Sequence, residues 1–159
     1  AEGGDAQKLL ESHKLSGRDN ARTPFQWDSS TNAGFSEGTP WLKVTGNYTD
    51  INVAAQEGDP DSPLNFFRKL TKLRRDNLTL VYGAYNLLLP DNKHIYAYTR
   101  SLDDEVILVV LNYSSEEQVV QLPEASAQCE VLINNYQALE KTANGYTLAP
   151  WQAVVLRMS

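Results

Sequence analysis

Six apolar residues in a row, VILVVL at 106–111, constrain this chain more than any other stretch. Successive side chains of a strand point to opposite faces, so a half-exposed strand alternates apolar and polar residues. A strand apolar at every position must be covered on both faces. VILVVL therefore predicts a central strand beneath a second sheet. Around it, runs dense in β-branched and aromatic residues recur: AYNLLL (84–89), HIYAYTR (94–100), EVILVVLNYS (105–114), EQVVQL (117–122), CEVLINN (129–135), GYTLA (145–149) and QAVVLRM (152–158). PDNK, LDDE, SSEE and TANG supply turn chemistry between them. Short strands at this spacing predict an antiparallel sandwich or barrel, with a crossover between sheets after QLPEAS.

The composition changes near residue 82: strands follow it, helices and loops precede it. DAQKLLESHK (5–14) predicts a short helix capped by Asp5, with Leu9 and Leu10 as a small apolar face. DSPLNFFRKLTKLRRDN (61–77) predicts a longer one, with Ser62 at the N-cap and Pro63 at the first position, where its missing N–H costs nothing. Leu64, Phe66, Phe67, Leu70 and Leu73 form one apolar face, expected to be buried; the Arg and Lys residues opposite read as a solvated face. Residues 17–61 hold five Gly and three Pro, yet also Phe25, Trp27, Phe35, Trp41, Tyr48, Ile51 and Val53. So much apolar surface is incompatible with a disordered linker, so an ordered loop that packs its aromatics is expected, with Phe25, Trp27 and Trp41 as anchors.

Several function classes are disfavoured at once. A formal net charge of −6 repels a nucleic-acid backbone and an anionic membrane, and no stretch approaches the length of a bilayer span. His13 and His94 have no partners at metal-ligand spacing, so neither metal nor cofactor is expected. Cys129, the single cysteine, lies in a strand run and reads as a buried, inert thiol. AEGGDAQKLL has neither a basic start nor an apolar core, so no signal peptide is read and a cytoplasmic location is expected.

The chemistry concentrates in GRDNARTPFQWD (17–28). Arginine presents a rigid fork of donors suited to carboxylates or vicinal hydroxyls, and Asp and Asn accept from hydroxyls. A structural ion pair between Arg18 and Asp19 is an equally good reading of the same residues. Asp19, Asp28, Glu37, Asp50, Glu57, Asp59 and Asp61 are present. None sits at the end of a recognisable strand, where a scaffold would fix a pair of carboxylates, so no catalytic residue is assigned.

SGRDNARTPFQWDSSTNAGFSEGTPWLKV, followed by NYTDINVAAQEGDPDSPLNFFRKLTKLRRDN, closely resembles the alpha-glucosidase branch of glycoside hydrolase family 13. That branch includes oligo-1,6-glucosidase, dextran glucosidase, sucrose isomerase and trehalose synthase. The resemblance covers nearly the whole chain and is strongest over residues 16–78. It implies that residues 1–81 are the end of a (β/α)8 barrel: 1–61 the long loop after the eighth strand and 62–77 the eighth helix. Residues 82–159 become the C-terminal β-sandwich, domain C. It further implies that Arg22 reaches the glucose subsite, with Arg18 as second choice and Asp19 and Asn20 supporting the loop or lining the acceptor side.

The motifs that flank the family's nucleophilic Asp, acid/base Glu and second Asp have no counterpart among residues 1–159. The resemblance therefore implies the C-terminal portion of a retaining alpha-glucosidase acting on alpha-1,4 or alpha-1,6 bonds of oligosaccharides, inactive by itself. Its partners would be the oligosaccharide and the missing barrel, and the apolar helix face would favour self-association. The competing reading is a stand-alone carbohydrate-binding module, with Trp151, Tyr85, Tyr96 and Tyr98 as an aromatic platform.

Overall fold

The computed structural model describes residues 5–122 and 129–158, apart from the side chain of Asn20. The chain divides into two compact units, Ala1–Asn65 and Phe66–Ser159.

The first unit has helices α1 (Ala6–Ser16) and α2 (Val53–Gly58), joined by turns and two short 3-10 helices. Asp5 caps α1 as expected, its carboxylate accepting from the amides of Gln7 and Lys8. Leu9 and Leu10 stay exposed, so the cap and local propensity define this helix rather than burial. Asn52 caps α2: its side-chain oxygen accepts from the Ala55 amide at 2.8 Å, while its Nδ2 donates to Tyr48 O.

Helix α3 (Pro63–Asp76) begins where Ser62 and Pro63 predict. Ser62 Oγ accepts from the Asn65 amide at 3.3 Å and donates to Gln56 O at 2.7 Å. The expected buried face is corrected: no residue of α3 is fully buried, and Phe67 is 62% exposed. Leu73 alone of the stripe packs against the cluster of Leu80, Ile107, Val109 and Val155. The basic face is exposed at Arg74 as expected, and Arg74 Nη1 also donates to Leu80 O.

In the second unit α4 (Leu78–Tyr82) follows α3 directly. Among the described residues eight strands come next: β1 (Ala84–Leu88), β2 (Ile95–Leu102), β3 (Glu105–Asn112), β4 (Gln118–Gln121), β5 (Cys129–Asn134), β6 (Glu140–Thr142), β7 (Gly145–Leu148) and β8 (Ala153–Met158). A five-stranded sheet runs in the order β1-β2-β3-β8-β5 and a three-stranded sheet in the order β4-β7-β6; every pair is antiparallel. The segment after QLPEAS expected to cross between sheets falls at 123–128, outside the described residues, but β4 and β5 do lie in different sheets.

VILVVL occupies β3, the middle strand of the larger sheet. Leu108 and Val110, with Ile95, Ala97, Val154 and Leu156, pack with Val120, Tyr146 and Leu148 of the smaller sheet and with Leu122, which follows β4. Ile107 and Val109 face the other way and pack with Leu80 of α4 and Val155. The second sheet thus covers one face of β3, and a helix covers part of the other.

Two glycines permit close approaches. A Cβ on Gly145 would lie 1.8 Å from Val120 O, so the pairing of β7 with β4 requires a bare Cα. Gly34 sits at φ +66, where a Cβ would meet both Asp28 carboxylate oxygens at 2.8 Å. Cys129 is half-buried at the edge of the core rather than fully buried, which corrects the sequence expectation. No helix among the described residues is long and apolar enough to cross a membrane.

Candidate functional site

The arginine-bearing segment belongs to the first unit and turns about a single 3-10 helix, Asp19–Ala21. Arg18 stands immediately before it and Arg22 immediately after; Ala21 N donates to Arg18 O at 3.2 Å and Arg22 N to Asp19 O at 3.0 Å. One tight turn therefore gathers Arg18, Asp19 and Arg22. All three are exposed, and among the described residues none of their side chains has a hydrogen bond or ion pair. The structural ion pair between Arg18 and Asp19, one of the two sequence readings, does not form. Asn20 contributes backbone to the turn; its side chain lies outside the described residues.

Beyond the turn the chain is firmly tied. Pro24 is buried and fixes its own φ. Gln26 O accepts from Val53 N and Trp27 O from Ala54 N, each at 3.0 Å. The Gln26 carboxamide also donates to Ile51 O and, at 3.3 Å, to Asn47 Oδ1. Trp27 N donates to Ala33 O at 2.9 Å, drawing the chain back on itself. Asn32 and Ala33 adopt left-handed backbone at φ 56 and 59, and Asn32 Nδ2 donates to Ser36 O and Gly38 O. Asp28 Oδ1 accepts from the Ser30 hydroxyl and, at 2.8 Å, from the Ser30 amide. The hydroxyl, then the amide, holds the Asp28 carboxyl below its usual range against a small opposing effect of burial.

A cleft of about 320 Å³ opens beside this segment, lined by Thr23, Phe25, Gln26, Ile51 and Val53 among others. The aromatics of the loop were expected to anchor it. Phe25 and Trp27 do meet edge to face, with centroids 4.8 Å apart, but each remains more than half exposed. Trp41 is 82% exposed and anchors nothing in this unit. Polar bonds, not aromatic packing, hold the loop.

Chemically the arrangement offers two unspent guanidinium forks and one carboxylate on a braced turn, which suits the holding of hydroxyls or an anion. Asp28 and Asp59 direct carboxylate oxygens to local turns, the latter accepting from the Asp61 amide at 2.9 Å. No group of His, Cys, Asp or Glu among the described residues could hold a metal ion. Gln26, Asn47 and Asn52 were missed in the sequence; only the position of Asn52, one residue ahead of a helical run, carried a signal.

Two family descriptions divide the chain. Residues 1–83 match the alpha amylase catalytic domain, and residues 85–155 match the maltogenic amylase C-terminal domain. The chain belongs to the alpha-amylase family. This alpha-amylase-family chain is 43% identical, over 98% of its length, to an oligo-1,6-glucosidase of Parageobacillus thermoglucosidasius, of which it covers 28%. It is 42% identical over 96% of its length to a glucan 1,6-alpha-glucosidase of Streptococcus pneumoniae, again covering 28% of that protein.

Among solved structures, the trehalose-6-phosphate hydrolase of Bacillus licheniformis superposes with a TM-score of 0.90 at 37% identity, over 99% of this chain and 29% of that one. A mutant of the trehalulose synthase MutB in complex with glucose gives 0.87 at 42%, over 98% and 28%. The chain thus spans just over a quarter of the length of these relatives. The expected fold class holds: a barrel-end segment followed by an antiparallel β-sandwich.

Proposed function

We propose that residues 17–28 form one wall of the glucose subsite of a retaining alpha-glucosidase whose catalytic carboxylates lie in polypeptide outside residues 1–159. The observation that carries this reading is the turn at 18–22, with Arg18, Asp19 and Arg22 exposed and unspent on a segment braced by Gln26. A guanidinium held this way keeps its donors for a ligand and loses little entropy on binding.

In such an enzyme one carboxylate attacks the anomeric carbon while a second protonates the departing oxygen; water then hydrolyses the glucosyl ester. Residues 1–61 would be the loop after the eighth barrel strand, and 62–77 the eighth helix. Residues 1–81 together would close the barrel end, and 82–159 would serve as domain C. Arg22 would donate to hydroxyls of the nonreducing glucose, Arg18 would be the second candidate, and Asp19 and Asn20 would support the loop or the acceptor side. The names of the relatives, oligo-1,6-glucosidase and glucan 1,6-alpha-glucosidase, favour an oligosaccharide with a terminal alpha-glucosyl unit.

The test is a chimera in which this chain replaces the matching part of the Parageobacillus enzyme. Arg22→Ala should cost about 1.5–3 kcal/mol of transition-state stabilisation, roughly 10- to 150-fold in kcat/KM on isomaltose. Arg18→Ala should cost less. If both variants stay within about twofold of the unsubstituted chimera, the arginines do not touch the sugar and the reading fails.

A further inference from the structure

The TANG turn (142–145) plays no part in the site above. It joins β6 to β7 with Thr142 opposite Gly145, so Ala143 and Asn144 alone form the loop. Asn144-Gly145 is the only Asn-Gly pair in the chain. Packing holds both residues in place. A side chain on Gly145 is excluded, because its Cβ would lie 1.8 Å from Val120 O. The carbonyl oxygen of Asn144 accepts from the amide of the buried Leu122 at 2.9 Å.

The side chain of Asn144 is exposed and, among the described residues, its carboxamide has no hydrogen bond. Asn52, Asn112 and Asn134, by contrast, donate from their carboxamides to backbone carbonyls. A two-residue hairpin loop is normally closed with positive φ, whose twist matches that of the strands. Neither Ala143 nor Asn144 has a positive φ. Strand β6 is also only three residues long and lies at the edge of its sheet. Pairing at such an end opens locally at little cost. Once the Thr142–Gly145 pair opens, the Gly145 nitrogen can reach Asn144 Cγ. Glycine leaves that approach clear, where any side chain would crowd it.

We propose that Asn144 is a site of spontaneous deamidation that disrupts the smaller sheet as the protein ages. A base takes the Gly145 amide proton, the nitrogen bonds to Asn144 Cγ, and the Cγ–Nδ2 bond breaks with loss of ammonia. Water then opens the cyclic imide. Water added at Cγ restores the main chain and leaves aspartate. Water added at the backbone carbonyl carbon leaves isoaspartate, whose main chain runs through Cβ and Cγ. Either route consumes one water, releases one ammonia and adds a negative charge.

The isoaspartyl form adds an atom to the main chain at the turn. It also turns the carbonyl that accepts from Leu122 into part of a free carboxylate. The contact of Gly145 with Val120 leaves no room for the added atom. Strand β7, which carries the core residues Tyr146 and Leu148, then loses its register against β4. None of this depends on the reading of the arginine turn.

The test keeps the folded chain in mildly alkaline buffer and follows its tryptic peptides by mass spectrometry and by enzymatic methylation of isoaspartate. Asn144 should exchange its amino group for a hydroxyl before any other asparagine, and Asn144→Gln should abolish the signal. Earlier conversion at another asparagine overturns the proposal. So does a folded chain that stays unconverted over the time in which the urea-unfolded chain converts fully.

A second readout tests the consequence. The isoaspartyl fraction, separated by chromatography, should melt several degrees below Asn144→Asp, which carries the same charge on an intact main chain. Equal melting would overturn the disruption of the sheet.

Discussion

The carbonyl oxygen of Gln26 accepts from the amide of Val53 at 3.0 Å, and the Gln26 side chain reaches the same strap at Ile51 O and Asn47 Oδ1. One residue thus ties the arginine-bearing segment to residues 47–54 by both backbone and side chain. Removing the side chain should loosen the strap without unfolding the unit. In Gln26→Ala, the amides of Val53 and Ala54 should exchange with solvent faster by an amount equivalent to about 0.5–1.5 kcal/mol. Unchanged exchange would show that the backbone bonds suffice.

Arg157 ties three elements of the second unit together. Its Nε lies 2.7 Å from Glu105 Oε1, its Nη1 2.7 Å from Glu130 Oε2 and its Nη2 2.8 Å from Asn77 Oδ1. The Thr79 hydroxyl also donates to Glu105. Thr79 first, and Arg157 after it, hold the Glu105 carboxyl below its ordinary value of 4.5, with burial opposing. Since the folded-state pKa is depressed, the stabilisation is complete above the unfolded value and is lost as pH falls through the folded one. Both side chains of the pair are about one-third exposed, so solvent screens the gain. Glu105→Gln should cost about 1 kcal/mol in urea unfolding at pH 7 and progressively less in acid, below the ordinary glutamate value. A cost independent of pH would rule out the charged form as its source.

Trp151 takes the left-handed conformation at φ 59, following Pro150 in a turn closed by Gln152 N to Ala149 O at 3.1 Å. A turn with Pro second and φ positive third favours Gly there, and a bulky residue is strained. Trp151 is 58% exposed, so its ring recovers little by burial in this unit. Trp151→Gly should raise the stability of the chain by about 0.5–1 kcal/mol, after allowing for the freer unfolded backbone. A lower melting temperature would mean that the indole packs more strongly than its exposure indicates.

Gly145→Ala should do the reverse. Its Cβ would collide with Val120 O at the pairing of β4 with β7, and backbone cannot move aside as a side chain can. A loss of about 2 kcal/mol or more is expected by calorimetry. Tolerance of the alanine would place the β4–β7 register elsewhere.

Legibility in the sequence followed the strength of local signals. VILVVL declared a central strand because burial on both faces leaves no polar alternation, and Ser62-Pro63 declared a helix start because both residues suit an N-terminus. Strand β6 (Glu140–Thr142) was not legible: three polar residues on a sheet edge have no periodicity to detect. Helix α4 is a single turn of LTLVY, whose Val and Thr favour strands; packing of Leu80 against Ile107 and Val109 decides its conformation.

The site was legible only as residue types. Arg18, Asp19 and Arg22 were singled out, but the bracing by Gln26 and Asn47 depends on contacts more than twenty residues apart. Burial was over-read in Trp41 and Phe67, because an apolar residue in a pattern reports a surface to be covered, not whether this chain covers it.

The most direct test of the central claim is an assay of the pure, folded chain on p-nitrophenyl alpha-glucoside, before and after addition of the unmatched part of the Parageobacillus enzyme. With the bond-breaking carboxylates in other polypeptide, the chain alone should release no p-nitrophenol above buffer, and activity should appear only with that part and fall in Arg22→Ala. Sustained turnover by the chain alone, abolished by Asp28→Asn or Asp50→Asn, would contradict it.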